Sequence, residues 1–205
     1  MISHIIEEHE SSPSVFYYIP GFMDKKEQKD MLTYLDNNQD FVPNLKYNNK
    51  ICRLQKWYQT EQKYFCPLWR DRFPQWESFE MDATITSLIN KVQDFVQTIP
   101  NITIPQINSC LINKYPTGDN VISPHRDSEL SFGEKPTIVG LSLGETRTIY
   151  FDRQQDKPNG SFSFDLESGS IFIMAGSSQK FYHHSLKRSS CKGVRYSLTF
   201  REFIL

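Results

Sequence analysis

Among the five histidines of the sequence, His125 lies two residues from a carboxylate in His125-Arg126-Asp127, and His183 and His184 form a doublet further on. On an extended strand, residues i and i+2 point the same way, so both side chains can reach one ion. One member of the doublet, on another strand, would complete a set of two histidines and one carboxylate. Such a set on one face of an octahedron leaves positions open and suits an Fe(II) centre that works with O2. A tripeptide this short also occurs by chance in surface turns. Its weight depends on its surroundings.

The last strand-like segment supplies them. In Arg195-Tyr-Ser-Leu-Thr-Phe-Arg201, positions Arg195, Ser197, Thr199 and Arg201 share one face, while Tyr196, Leu198 and Phe200 share the other. A polar face carrying two guanidinium groups needs anionic partners, and a dicarboxylate offers the planar bidentate geometry arginine prefers. Asn113 and Tyr115 likewise share one face of an earlier strand. Arg201 also has a purely internal option, pairing with Asp127 or Glu202.

The elements that must position these groups follow from periodicity. A strand is expected at Val15–Ile19, ended by Pro20-Gly21, and Asp24 with Glu27 forms a capping box ahead of a helix. Ile85, Leu88, Ile89, Val92, Phe95, Val96 and Ile99 repeat at helical spacing up to Pro100, which predicts a helix over 83–99. Beyond Ile104 the pattern changes to short β runs at 107–115, 137–143, 148–151, 161–166, 170–174, 179–184 and 194–203, separated by turn residues. Helices followed by this many strands predict an α+β chain whose sheet folds on itself as a sandwich or barrel. Residues 44–80 are aromatic with weak periodicity, as long binding loops or a β-ribbon would be.

Composition sets the outer bounds. With 205 residues, 38% hydrophobic and 14% aromatic, the chain is expected to form one globular domain, 1–205. A net charge of −1 exerts no global pull on polyanions, although residues 46–63 and 179–201 are locally basic. The four cysteines contain no C-x-x-C pair, which argues against a zinc ribbon or dithiol motif. No signal peptide or membrane-length apolar run is visible. A soluble monomer is expected, intracellular (cytoplasmic or nuclear), with no membrane partner.

Taken in order, several segments resemble the AlkB family of Fe(II)- and 2-oxoglutarate-dependent dioxygenases. They are Asn113-x-Tyr115, His125-Arg-Asp127-Ser-Glu129 (family H-x-D-D-E), Gly140–Gly144 with Arg147, Gly176-Ser-Ser-Gln179, His184-Ser185-Leu186 and Arg195-x5-Arg201. Cys52-Arg53-Leu-Gln-Lys-Trp57-Tyr58 is similar to the family's P-R-L-x-x-W-Y-G, so the resemblance covers about residues 50–203. It implies a double-stranded β-helix (jelly-roll) core over roughly 104–205, N-terminal helices packed on it and a nucleotide-recognition lid at roughly 44–80. It also implies Fe(II) ligation by His125, Asp127 and His184, the family spacing from Gly176 through Gln179 selecting His184 over His183. The cosubstrate 2-oxoglutarate would meet Arg195 and Tyr115 at its distal carboxylate, and Asn113 and Arg201 at its C1 end. Ser197 stands where the family usually has Asn.

The same resemblance implies a reaction and a partner. With O2, 2-oxoglutarate is oxidised to succinate and CO2, an N-alkyl group is hydroxylated, and the hemiaminal releases formaldehyde. The expected substrate is alkylated nucleic acid, single-stranded DNA or RNA, carrying bases such as 1-methyladenine or 3-methylcytosine. Repair-type members take the base out of its stack. Arg53, Trp57, Tyr58, Tyr64 and Phe65 are then the candidate lid contacts, with His125 as the opposing wall and Glu129 beside the base. Gln59 replaces the family glycine after Tyr58, which points to a lid of different shape. The alternatives are the same oxygenase chemistry on a protein or other substrate, and a binding module with a lapsed metal site.

Overall fold

The computed structural model describes residues 3–8, 12–38, 40–45, 51–61, 76–100, 102–104, 106–154 and 160–204. Tyr64 and Phe65 lie outside the described residues. In chain order the elements are β1 (Ser3–Glu7), β2 (Ser14–Ile19), α1 (Lys25–Asn37), β3 (Val42–Leu45), β4 (Ile51–Gln59) and α2 (Ala83–Gln97). There follow β5 (Ser109–Tyr115), β6 (Ile122–His125), the one-turn α3 (Glu129–Phe132), β7 (Ile138–Gly144), β8 (Arg147–Arg153) and β9 (Phe162–Leu166). The chain closes with β10 (Ser170–Gly176), the one-turn α4 (Ser178–Phe181), β11 (Tyr182–Leu186) and β12 (Arg195–Arg201).

The strands form two antiparallel sheets, ordered β1-β2-β10-β7-β12-β5-β4-β3 and β6-β11-β8-β9. Face-to-face sheets of this kind are the jelly-roll solution to closing a β-structure. Each strand of the large sheet has two different faces. In β12 the outer set Tyr196, Leu198 and Phe200 pairs laterally with Cys110, Ile112, Val139 and Leu141, and this apolar surface is covered by α1 and α2. The inner set carries the polar residues toward the small sheet.

Both helices are where their sequences place them. Asp24 Oδ1 accepts from Glu27 N at 2.8 Å while Glu27 Oε2 accepts from Asp24 N at 2.9 Å, completing the capping box of α1. Asp82 caps α2, and Ile85, Leu88, Ile89, Val92 and Val96 bury one stripe of it. Among the described residues, no helix is long and apolar enough to cross a membrane.

Two expected elements differ. The run 179–184 is not one strand: its first residues form α4 and the strand begins at Tyr182. Gly176 adopts φ 61°, and a Cβ there would sit 2.1 Å from the Pro13 carbonyl oxygen, so the chain turns sharply before α4. The Ser177 carbonyl then accepts from Lys180 N and Phe181 N, closing the turn. The β-ribbon reading of the region after residue 44 is met in part by the β3–β4 pair.

Candidate metal and cosubstrate site

The two histidines of the candidate metal site come from paired strands, one from the end of β6 and one from the middle of β11. His125 is the last residue of β6 and lies directly across from His184 in β11, with ring centroids 4.2 Å apart. His125 Nδ1 sits 2.9 Å from Ser123 O and 3.1 Å from His184 O. Carbonyls only accept, so Nδ1 carries the proton and Nε2 is the atom left with a lone pair to offer. His125, Asp127 and His184 can each offer a ligand atom, and these atoms lie within 4.8 Å of one another. His184 Nδ1 is buried and has no hydrogen-bond partner among the described residues. His183 alternates to the other side of β11 and lines an outer cleft instead.

Asp127 corrects the strand reading of the tripeptide, because β6 ends before it and only His125 belongs to the ladder. Its carboxylate reaches the histidines from the loop that follows, with Oδ1 4.0 Å from His125 Nε2. Asp127 Oδ2 and Arg201 Nε form a buried ion pair at 2.8 Å, although neither atom has an aligned hydrogen-bond partner. The internal option for Arg201 is therefore realised, and it places a guanidinium beside the ligand set.

Protonation in this cluster suits a metal. Burial, reinforced by the neighbouring His125, pushes His184 down to about 3, and burial also lowers His125. Burial works to raise the Asp127 carboxyl, but Arg201 and the two histidines outweigh it and the net shift is downward. At neutral pH the set is two neutral imidazoles and one carboxylate, the forms a metal requires. A consequence concerns the metal-free protein. Unfolded imidazoles titrate near ~6.5 while these resist protonation when folded, so stability falls as pH drops from about 6.5 toward 3. Urea unfolding of metal-free protein at pH 7.5 and 5.5 should show the loss, and His184→Leu should flatten it.

The second half of the site is the cavity between the sheets, bounded by His125, His184, Tyr115, Arg195, Ser197 and Arg201 among others. Arg195 is 3% exposed, and its Nε and one terminal nitrogen donate to Ser142 Oγ at 3.1 and 2.7 Å. Its guanidinium carbon lies 5.3 Å from the Tyr115 ring centroid. Burial lowers its pKa to about 10, against the opposing effect of Tyr115. No carboxylate pairs with it among the described residues. A buried guanidinium held by one hydroxyl and one phenol is matched to an incoming carboxylate. Leu166, Phe172 and Met174 make an apolar wall. A Cβ on Gly140 would lie 2.0 Å from Phe172 Cε1, so glycine there lets the Phe172 ring lie against the sheet.

Asn113, Tyr115, Arg195, Ser197 and Arg201 all belong to this face, with Asn113 beside Ser197 and Tyr115 beside Arg195 across the β5–β12 ladder. Asn113 Oδ1 accepts from Arg53 Nε at 2.8 Å and Gln55 Nε2 at 2.7 Å. The guanidinium of Arg53, expected among lid contacts, is thus turned toward the cosubstrate side. Glu129 opens α3 at the surface, on a cleft of about 660 Å³ that it shares with Arg126, Asp127, Gln179, Lys180 and His183.

Trp57 and Tyr58 require a correction as base-stacking residues. Being consecutive on β4, they point to opposite sides of the sheet, and both are buried, at 2% and 3% exposure. Trp57 faces the site side but packs with Leu111, Phe132 and Phe203, its ring 5.2 Å from that of Phe203. Tyr58 lies in the helix-side core. Tyr34 gives its single hydroxyl proton to Asp82, so the Tyr58 hydroxyl donates to Tyr34 at 3.2 Å and accepts from Asn38 Nδ2 at 2.9 Å. Trp57→Ala is therefore expected to act on stability, costing about 3–5 kcal/mol in urea unfolding. Correctly folded Trp57→Ala that loses base turnover with unchanged stability would contradict this placement.

Three further residues shape the site without having been assigned a role from sequence. Ser142 holds Arg195, Gln55 holds Asn113, and Gln179 Oε1 accepts from Asp127 N at 2.9 Å. The signal for Ser142 was its position as one hydroxyl in an otherwise apolar run, Ile138–Leu143.

Fold and site together define a class: jelly-roll oxygenases that pair Fe(II) with a 2-oxo dicarboxylate. The chain belongs to the 2OG-Fe(II) oxygenase superfamily, whose sequence profile matches residues 15–201. It is similar to DNA oxidative demethylase ALKBH2 of Arabidopsis thaliana, 27% identical over 118 residues, covering 47% of this chain and 38% of that protein. The Homo sapiens protein of the same name is 29% identical over 126 residues, covering 58% and 47%. The chain thus spans less than half the length of these curated relatives. The solved structure of OsALKBH1 superposes with a TM-score of 0.62 at 19% identity, covering 91% of this chain and 97% of that one. A prolyl hydroxylase from Trichoplax adhaerens gives 0.61 at 14% identity, covering 92% and 83%. At such identities the two structures speak for the jelly-roll fold alone.

Proposed function

We propose that this chain is an oxidative demethylase of N-alkylated nucleobases such as 1-methyladenine and 3-methylcytosine in DNA or RNA, releasing formaldehyde, succinate and CO2. The observation that carries the chemistry is the His125, Asp127 and His184 cluster opening on a cavity that also holds buried Arg195, which meets hydroxyls but no carboxylate among the described residues. The substrate class is supported by similarity to proteins named as DNA oxidative demethylases.

Fe(II) fits the cluster in ligand type, protonation state and spacing, and 2-oxoglutarate fits the cationic cavity. Fe(II) would be held by His125 Nε2, the Asp127 carboxylate and His184. When bound, it supplies O2-driven oxidation of a C–H bond, with 2-oxoglutarate as the co-reductant that leaves as succinate and CO2. The protein's own residues do the rest. Arg195, held by Ser142 and backed by Tyr115, binds the distal carboxylate. Arg201 keeps Asp127 ionised and aimed. Asn113, with its carbonyl oxygen committed to Arg53 and Gln55, has its NH2 group to offer the C1 end. Ser197 and Thr199 add hydroxyls along the wall, and Leu166, Phe172 and Met174 exclude water. Glu129, on the outer cleft that also reaches Asp127, would meet the exocyclic nitrogen or positive charge of an alkylated base.

A second reading keeps the chemistry and changes the substrate to a protein or other molecule. The burial of Trp57 and Tyr58 favours it, because the aromatic pair expected to stack a base is committed to packing. Oligonucleotides bearing 1-methyladenine or 3-methylcytosine distinguish the two. Formaldehyde matched by succinate supports the demethylase. Succinate formed at the same slow rate with and without oligonucleotide supports the second reading.

A further inference from the structure

We infer that Gln179 is a positioning residue for the metal site, fixing the backbone of Asp127 relative to the segment that carries His184. The inference rests on the proposed ligand set of His125, Asp127 and His184.

Asp127 needs such a tether. It lies beyond the end of β6, so no ladder bond holds its peptide, whereas His125 and His184 face each other across one. Its N–H instead donates to Gln179 Oε1 at 2.9 Å. Gln179 belongs to α4, which runs directly into β11 and so into His184. Beyond the end of the β6–β11 ladder, the Asp127 loop is thus tied to the segment leading into His184 by Gln179, beside a bond from the Arg126 guanidinium to the Lys180 carbonyl at 3.2 Å.

The chemistry of Gln179 points the same way. Gln179 is 7% exposed, and among the described residues its NH2 group meets only the sulfur of Met174, at 3.5 Å. Thioether sulfur is a weak acceptor, so this end of the amide gains little from burial. A leucine or methionine would pack against Met174 without that cost. The amide's orientation is set by its other end, since turning it over would oppose two donors, the NH2 group and the Asp127 N–H. What a buried glutamine provides here, and an apolar residue does not, is an acceptor for Asp127.

The test is binding of Mn(II), used as an O2-inert probe, to full-length metal-free protein, followed through the electron paramagnetic resonance signal of free Mn(II). Gln179→Leu should weaken binding about 10- to 100-fold, the range for losing an outer partner of a ligand. Gln179→Glu keeps the length and an acceptor oxygen, so it should bind at wild-type affinity or tighter. Glutamate rescue separates positioning from packing, which both substitutions would disturb alike. Should Gln179→Leu fail to fold, Gln179→Met takes its place with the same expectation. Wild-type affinity in the apolar variant, or equal weakening in both, overturns the inference. Failure of wild-type protein to bind Mn(II) overturns the ligand set itself.

Discussion

Asp127→Asn is expected to reduce 2-oxoglutarate-dependent turnover by more than about 100-fold, measured as succinate formed at saturating Fe(II). Loss of a ligand's outer partner alone costs about 10- to 100-fold in metal affinity or activity, and Asp127 is a proposed ligand. The amide is neutral and ligates poorly, and it also strips Arg201 of its anion. Arg201 and Asp127 are both buried, at 8% and 6% side-chain exposure, so the orphaned guanidinium costs stability too, about 3–5 kcal/mol. Circular dichroism on the same sample separates the effects. Folded Asp127→Asn with normal turnover would remove Asp127 from the ligand set.

Arg195→Met should raise the 2-oxoglutarate concentration for half-maximal turnover by about 100- to 4,000-fold. A carboxylate left in a buried site without its cation loses about 3–5 kcal/mol, and each ~1.4 kcal/mol is tenfold. Arg195→Lys keeps the charge and loses the planar fork, so it should fall between. Metal affinity should hold, because Arg195 and Arg201 stand at opposite ends of β12 and only Arg201 touches a ligand. The cosubstrate-free protein should be no less stable than wild type, since the substitution removes a buried cation whose described partners are only hydroxyls. An unchanged 2-oxoglutarate requirement would refute the role.

What could be read from sequence was whatever repeats with a simple period. Alternation along β12 separated Arg195, Ser197, Thr199 and Arg201 from Tyr196, Leu198 and Phe200, and the two faces lie as expected. The helical stripe from Ile85 to Val96 was equally plain. The errors came where a local rule was extended past its element. His125 and Asp127 converge although only the first is in a strand, because a loop returns the carboxylate to the site. Gln179 to Phe181 looked extended but come soon after Gly176, whose positive φ redirects the chain into a turn. Trp57 and Tyr58 were grouped by residue type, while the pleat sends them to different cores. Ser142, Gln55 and Gln179 are contacts between segments far apart in the chain, and no periodicity reports such pairs.

The most direct measurement is mass spectrometry of matched DNA and RNA oligonucleotides carrying 1-methyladenine or 3-methylcytosine. They are incubated with the protein, Fe(II), 2-oxoglutarate, ascorbate and air, beside the Asp127→Asn variant. The account predicts loss of one methylene mass with the intact site, none with the variant, and formaldehyde equal to the bases restored. Intact oligonucleotides of both kinds, with succinate still forming at its uncoupled rate, would contradict it.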